Sequence, residues 1–337
     1  MLSKESYTQN VYYIILDGMI GLEYAGQFGI IDKIETKKTL QQASLTYIDK
    51  TYSSYNISYL TFASIMEVDY SVTEQSAKYV NRGPFFPMMM YQGKKNIPLP
   101  ELVSKAGSEF IWIGNFWGSC MEWVSQPWTC IHSNKVRNLM RLGSTIYFNT
   151  PLKSILITWL PSNPFREGGQ RNVQYFLDYL KNNKQTNNSK FVFIHQMSPH
   201  EPYTVSDNCQ PQNYTDMYEG YKASYKCVLQ EIVDFMMYIS IEDPNAVVVF
   251  QADHGWTIPE KIITQEDEIL QKAKIFNAIK APTTCFEKFG KPHSTINTIR
   301  FVLNCAYGFD LPYLDIIHYQ GFYEKHPQYG NVFAHIF

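Results

Sequence analysis

The stretch NVYYIILDGM, residues 10–19, decides the fold. Six apolar or aromatic residues, Val11 to Leu16, run without a polar break into Asp17 and Gly18. A strand with one wet face alternates polar and apolar residues, whereas an unbroken run suits a strand buried on both faces, as in a parallel sheet covered by helices. The Asp-Gly pair is then either an ordinary turn or a carboxylate held at the carboxyl end of a central strand, where open α/β sheets gather their ligands. Other strand ends with matching groups would separate the two readings.

Two further runs end this way. FVFIH (191–195) closes on His195, with His200 five residues on, and AVVVFQADHG (246–255) repeats the acid-then-glycine pattern with Asp253, His254 and Gly255. FIWIG (110–114) is another strand, preceded by the helix-like LPELVSKAG, which stops at Gly107. SILITWL (154–160) suits strand or helix. RNVQYFLDYLKNN (171–183) places Val173, Phe176, Leu177 and Leu180 on one helical face, and YKASYKCVLQEIVDFMMYI (221–239) does so with Tyr225, Val228, Ile232 and Phe235. Strands alternating with helices predict an α/β fold with a mostly parallel central sheet covered on both faces. From about residue 275 the elements shorten. The expectation is a single domain over 1–337 whose last part is a C-terminal elaboration.

Composition narrows the partners. With 45% hydrophobic and 18% charged residues, the 337-residue chain supports a large core and is not disordered. A net charge of −2 without a basic tract argues against nucleic acid. The 25 Tyr, 21 Phe and 6 Trp suit either a Tyr-rich core or contact surfaces for sugars and lipid head groups. Trp112, Trp117, Trp123 and Trp128, close together in sequence, could form such a wall, and Arg82 or Arg166 could grip an anion. The cysteines at 120, 130, 209, 227, 285 and 305 form three sequence-local pairs without a C-x-x-C motif. That pattern permits disulfides in an oxidising compartment and equally fits six buried thiols. No apolar run is long enough to cross a membrane, and MLSKESYTQN lacks a signal-peptide core. The chain is expected to be cytosolic or the soluble part of something longer.

Asp17, Asp253 and His254 together suit a divalent ion. Carboxylate oxygen with imidazole nitrogen favours Zn or Mn over the all-oxygen sites of Mg or Ca. Between the acidic strand ends lies TYSSYNISYLTFASIMEVDY (51–70), rich in hydroxyls and running into a helical pattern. A Ser or Thr at the start of that helix would be an activated nucleophile, with helix amides offering positive charge to an anion. A helix cap is the plain alternative.

In order and spacing these pieces resemble the sulfatase-like branch of the alkaline phosphatase superfamily, whose membrane-anchored bacterial members include lipoteichoic acid synthases and phosphoethanolamine transferases. The resemblance covers most of the chain. NVYYIILDGM is similar to the first metal strand, NISYLTFASI to the nucleophile helix, FVFIHQMSPHEPY to a substrate-binding loop and VVVFQADHGW to the second metal strand. TINTIRFVLNCAYGFDLPYLD is similar to the closing helix of sulfatase-like proteins of bacterial surface-polysaccharide loci. The resemblance implies the alkaline-phosphatase/sulfatase-like sandwich, with Asp17, Asp253, His254 and Ser58 as ligands of one metal and Ser58 as nucleophile. Thr61 matches a second hydroxyl and is the rival nucleophile. His200 is implied to contact the transferred anion or protonate the leaving group. His195 is either a substrate contact or a core histidine, and His293 is the one further ligand candidate.

Two departures narrow the chemistry. SYLTF lacks the C-x-P-S-R or S-x-P-S-R signature of formylglycine sulfatases, and Asp17-Gly18 replaces their paired aspartates. The implied activity is therefore a phosphotransferase or phosphodiesterase acting through a phospho-serine. Donor and acceptor would be lipid- or polysaccharide-linked phosphate groups, of phosphoethanolamine or phosphoglycerol type. The implied place is the periplasmic or extracellular face of a bacterial inner membrane, any anchor lying in a segment outside this chain. The rivals are a sulfatase and a non-catalytic glycan-binding relative.

Overall fold

Every residue of the opening run is buried, and its side chains alternate between two separate apolar layers. Val11, Tyr13 and Ile15 enter one layer, and Tyr12, Ile14 and Leu16 the other. This is why no polar residue interrupts the run: the strand has no wet face. The structure, a computed structural model, describes residues 9–71, 97–114, 129–132, 171–182, 189–257, 264–320 and 333–336.

Among the described residues the strands are β1 Val11–Leu16, β2 Thr46–Tyr47, β3 Thr51–Tyr52, β4 Glu109–Gly114, β5 Thr129–His132, β6 Lys190–Gln196, β7 Val247–Ala252, β8 Lys274–Ile275, β9 Asn277–Lys280, β10 Ile317–Gln320 and β11 Phe333–Ile336. The helices are α1 Leu22–Gln27, α2 Lys33–Gln42, α3 Ser58–Glu67, α4 Pro98–Lys105, α5 Asn172–Asn182, α6 Met217–Glu242, α7 Gln265–Ala273, α8 Thr283–Phe289 and α9 Thr295–Tyr307. The main sheet has seven strands in the order β2-β9-β7-β1-β6-β4-β5. The five strands β7, β1, β6, β4 and β5 are parallel, and β9 and β2 add antiparallel pairs at the β7 side. The fold is α/β with a mostly parallel central sheet, as expected. SILITWL, Trp117, Trp123, Trp128, Arg82 and Arg166 lie outside the described residues.

Helices α3, α4 and α9 contribute to the layer on one face, and α1, α5 and α6 to the layer on the other. Helix α3 is buried along its whole length, so the hydroxyl-rich segment is a central helix rather than a surface cap. Trp112 is fully buried in β4 and meets Phe193 edge-on, a core role rather than a place in a binding wall. Residues beyond 275 are integral to the sheet: β9 pairs with β7, and α9 lies in the core.

Two disulfides appear among the described residues. Cys209–Cys227 ties the loop after β6 to α6, and Cys285–Cys305 joins α8 to α9. Cys130 is also disulfide-bonded. Among the described residues no helix is long and apolar enough to cross a membrane.

Candidate active site

The parallel register sets the site. Leu16 lies opposite Gln196 on one side and Ala252 on the other, so Asp17, Met197 and Asp253 leave the sheet at one level. The Asp17 amide still donates to the Gln196 carbonyl at 2.9 Å. Gly18 then turns with φ +69°, a left-handed conformation that glycine adopts without strain. Its amide donates to Asp253 Oδ1 at 3.1 Å, and its carbonyl accepts from the Tyr221 hydroxyl at 2.8 Å. The same hydroxyl accepts from the Ile20 amide at 3.0 Å, so α6 clamps the turn that carries Asp17.

Ser58 is the first residue of α3 and faces this turn. Its Oγ lies 3.0 Å from His254 Nε2 and 3.5 Å from each Asp17 carboxylate oxygen. The helix N-cap, Ile57, has no side-chain acceptor for the first-turn amides. Thr61, one turn further on, directs its hydroxyl to the Tyr55 carbonyl at 3.4 Å. Ser58 is thus brought to the strand ends, and the Thr61 hydroxyl bonds elsewhere.

His254 has a defined tautomer. Nδ1 lies 2.8 Å from the Gly255 carbonyl, which can only accept, so Nδ1 carries the proton and Nε2 presents a lone pair. That lone pair faces Ser58 and lies 3.6 Å from an oxygen of Asp17 and 3.6 Å from one of Asp253. Ligand atoms of Asp17, Asp253 and His254 all stand within 4.8 Å of one another, each residue buried. Asp253 Oδ2 is buried without a hydrogen-bond partner. Two buried carboxylates side by side, one oxygen orphaned, with an imidazole lone pair and a hydroxyl aimed between them, fit a divalent cation.

The histidines of the β6 loop take different places. His195 is fully buried, edge-on to Phe62, with Nε2 3.2 Å from Asp17 Oδ2, where it orients the carboxylate. His200 lies nearer the surface. Its Nδ1 donates to the Glu201 carbonyl at 2.9 Å, leaving Nε2 as the nitrogen that exchanges protons, and its ring centroid is 6.4 Å from that of His254. Burial depresses the His200 imidazole, but Asp17, the Glu201 carbonyl and Asp253 more than offset it, and the net shift is upward. For Asp17 burial pushes upward, and His200, the His195 hydrogen bond and His254 together hold it below the usual carboxylate range. His293 is not part of the cluster described here; its Nδ1 bonds the Asp49 carbonyl at 2.9 Å.

Two residues beside the centre escape a reading of the sequence. Lys272, in the last turn of α7, is acted on by both Asp17 and Asp253. Tyr221 looks like any core aromatic of an amphipathic helix, and only the fold reveals its bonds to the Asp17 turn. The position of Lys272, just before a β-strand, carries no motif.

The Sulfatase family model matches residues 131–284, a span that includes His195, His200, Asp253 and His254. Sequence comparison with curated proteins finds no match. Among solved structures, the C-terminal periplasmic domain of EcEptC from Escherichia coli is similar, at 13% identity and TM-score 0.56, over 96% of each chain. That domain is also known in complex with Zn. The soluble domain of lipooligosaccharide phosphoethanolamine transferase A from Neisseria meningitidis is similar at 12% identity and TM-score 0.54, over 89% of this chain and 88% of that one. Ps i-CgsB is similar at 13% identity and TM-score 0.54, over 90% and 73%. The Sulfatase family model, over somewhat less than half of the chain, and the fold shared with these structures agree with the resemblance of the strand-end motifs to the sulfatase-like branch of the alkaline phosphatase superfamily.

Proposed function

We propose that the whole chain is one catalytic domain, a metal-dependent phosphotransferase or phosphodiesterase working through a covalent phospho-serine at Ser58. The observation that carries this reading is the Ser58 hydroxyl at the helix start, 3.0 Å from the His254 lone pair and beside the orphaned Asp253 oxygen. Asp17, Asp253, His254 and Ser58 would hold one divalent ion, Zn or Mn by the mixed oxygen and nitrogen donors. Such an ion supplies charge neutralisation to the substrate oxygens and lowers the pKa of a hydroxyl nucleophile.

The chain's own residues supply the rest. Ser58, already deprotonated, attacks phosphorus through Oγ as an alkoxide while the bond to the departing alcohol breaks, and His200 gives that alcohol its proton. A second alcohol, or water, then attacks phosphorus, passes its proton to His200 and releases Ser58 as the alkoxide. His195 holds Asp17 in orientation, and the α3 amides offer partial positive charge to the anion.

The substrate we propose is a lipid- or polysaccharide-linked phosphoryl group of phosphoethanolamine or phosphoglycerol type, in cell-envelope or surface-glycan modification. That the similar Neisseria protein is a lipooligosaccharide phosphoethanolamine transferase supports this choice. The disulfides support an oxidising place of action, the periplasmic or extracellular side of a bacterial membrane. A sulfatase is the second reading, favoured by the family model and opposed by SYLTF.

The test is hydrolysis of a chromogenic phosphodiester, phosphomonoester and sulfate ester with Mn, Zn, Mg or Ca, comparing wild type with Ser58→Ala. Metal-dependent phosphoester turnover lost in the variant is the expected result. Turnover of the sulfate ester alone would establish the second reading. Unreactive protein that binds no metal would leave a glycan-binding relative.

A further inference from the structure

His318, in β10, is fully buried, and the chemistry assigned to the strand ends makes no use of it. Its Nδ1 lies 2.8 Å from the Ser53 carbonyl, which can only accept, so this nitrogen carries the proton and donates. The same N–H reaches Ser53 Oγ at 3.1 Å, and that hydroxyl donates onward to the Lys272 carbonyl at 3.2 Å. The Gly255 amide donates to this carbonyl as well, at 2.7 Å. The approach there is so close that a Cβ on Gly255 would stand 1.9 Å from the Gln271 carbonyl oxygen. One backbone carbonyl thus joins the segment before the nucleophile helix to the residue after His254.

The run from Ser53 to Ile57 has little slack. The Ser53 amide donates to the Ala273 carbonyl at 2.7 Å, and the Ser54 amide to Thr295 Oγ1 at 2.9 Å. Tyr319, next to His318, donates its amide to the Ser54 carbonyl at 2.8 Å and accepts from the Asn56 amide at 3.2 Å. Its ring stacks on that of Tyr55. Ile57 is extended and caps α3, and Ser58 follows directly. A shift of Ser53 is therefore passed along the run to Ser58 Oγ, which lies 3.0 Å from His254 Nε2. Apolar side chains of similar volume fill such a core position at little cost, so a buried imidazole that bonds Ser53 twice calls for a use of its donor.

We propose that His318 is a positioning residue for Ser58: its Nδ1–H holds Ser53, and the pinned run from Ser53 to Ile57 then sets Ser58 Oγ against His254 and the paired carboxylates. This rests on reading the centre as a divalent-cation site with Ser58 among its ligands. The strand β10, 265 positions beyond Ser53, becomes part of the support of the active site. Space-filling in the core is the plain alternative, and the test must separate the two roles.

The experiment is calorimetric titration of Zn and of Mn into wild type, His318→Leu, His318→Asn, Ser58→Ala and the double variant His318→Leu/Ser58→Ala. Leucine fills the space without a donor, whereas the asparagine amide keeps an N–H close to where Nδ1 stands and leaves a smaller side chain. The expected result is metal affinity weakened about tenfold in His318→Leu and largely retained in His318→Asn. On the Ser58→Ala background the leucine substitution should change affinity by less than about twofold, because its effect travels through the Ser58 hydroxyl. A space-filling role predicts the reverse order of the two His318 variants and the same fall with or without that hydroxyl. Metal affinity unchanged in His318→Leu, an equal fall on both backgrounds, or a loss in His318→Asn as large as in His318→Leu would each overturn the assignment and leave the reading of the centre standing. Wild type that binds neither metal would overturn both. Should His318→Leu fail to fold, His318→Met takes its place under the same criteria, since methionine adapts to irregular core space without offering a donor.

Discussion

His254 Nε2 lies 3.0 Å from Ser58 Oγ, with its other ring nitrogen tied to the carbonyl of the very next residue. The backbone of the ADHG segment thus fixes the tautomer that points a lone pair at the hydroxyl. Substitution of Ser58 by Ala should reduce turnover by a factor on the order of 10³ or more while leaving the fold intact. Thr61→Val should stay within about threefold of wild type, since its hydroxyl bonds the Tyr55 carbonyl. Steady-state kinetics on the chromogenic ester that wild type turns over checks both.

Chelation should lower thermal stability, because the buried Asp17 and Asp253 carboxylates then face each other without a cation. At metal concentrations a hundredfold above Kd, binding stabilises the folded state by about 2.7 kcal/mol, so melting should shift by several degrees on EDTA treatment. Asp253→Asn should abolish that shift. Differential scanning calorimetry with and without metal decides the matter.

The pH dependence of the metal-free protein should be two-sided. Asp17 is held below its reference value of 3.8, so its contribution to stability is present above that value and is lost as pH falls. His200 is raised above its reference of 6.5, so its contribution is complete below that pH and lost as pH rises through the folded-state value. Stability should therefore be greatest between these reference values, and His200→Gln should flatten the alkaline side. Melting temperature as a function of pH is the measurement. Persistence of the alkaline fall in the variant would assign it to another group.

Gly255→Ala should be among the most damaging single substitutions, because backbone rather than a movable side chain occupies the space. A loss of about 1–3 kcal/mol is expected, read from urea denaturation midpoints. Gly220→Ala should also destabilise the fold: its Cβ would stand 2.6 Å from the Tyr203 ring, on the loop three residues after His200.

Tyr221→Phe removes one hydroxyl that serves both the Gly18 carbonyl and the Ile20 amide. About 1–3 kcal/mol of stability should go with it, from the buried groups left unpaired. Metal affinity should weaken as the Asp17 turn loosens, whereas Tyr225→Phe, which loses only a bond to the Ile20 carbonyl, should affect it less. Paired metal titrations of the two variants test this.

The central strands were legible because burial on both faces leaves an unbroken apolar signature, and β1, β4, β6 and β7 all carry it. The short strands β2, β3, β8 and β9 were not, since two to four residues cannot display a period. The same limit applies within the site. Ser58 and Thr61 are three residues apart and share a helical face, so only their offset distinguished them in the sequence; in the structure Ser58 opens the helix beside the strand ends and Thr61 bonds the Tyr55 carbonyl. Asp17, Asp253 and His254 stood out because two buried runs far apart in the chain end in the same acid-then-glycine pattern. Lys272 and Tyr221 did not, because a lysine in a helix end and a tyrosine in an apolar stripe have ordinary structural reasons to be there. His293 was visible in sequence and proved to bond the Asp49 carbonyl.

The Gly18 amide and the Asp253 carboxylate it serves are separated by 235 positions along the chain. Neither half of the centre can form without the other, so a nascent chain holds no cation trap until its third quarter has emerged and β7 has slid in beside β1. A cation held by Asp17, Asp253 and His254 would therefore be taken up only once both strands are in place, in whichever compartment they pair. Truncation before β7 should yield a chain that is inert toward metal however well its first strands assemble.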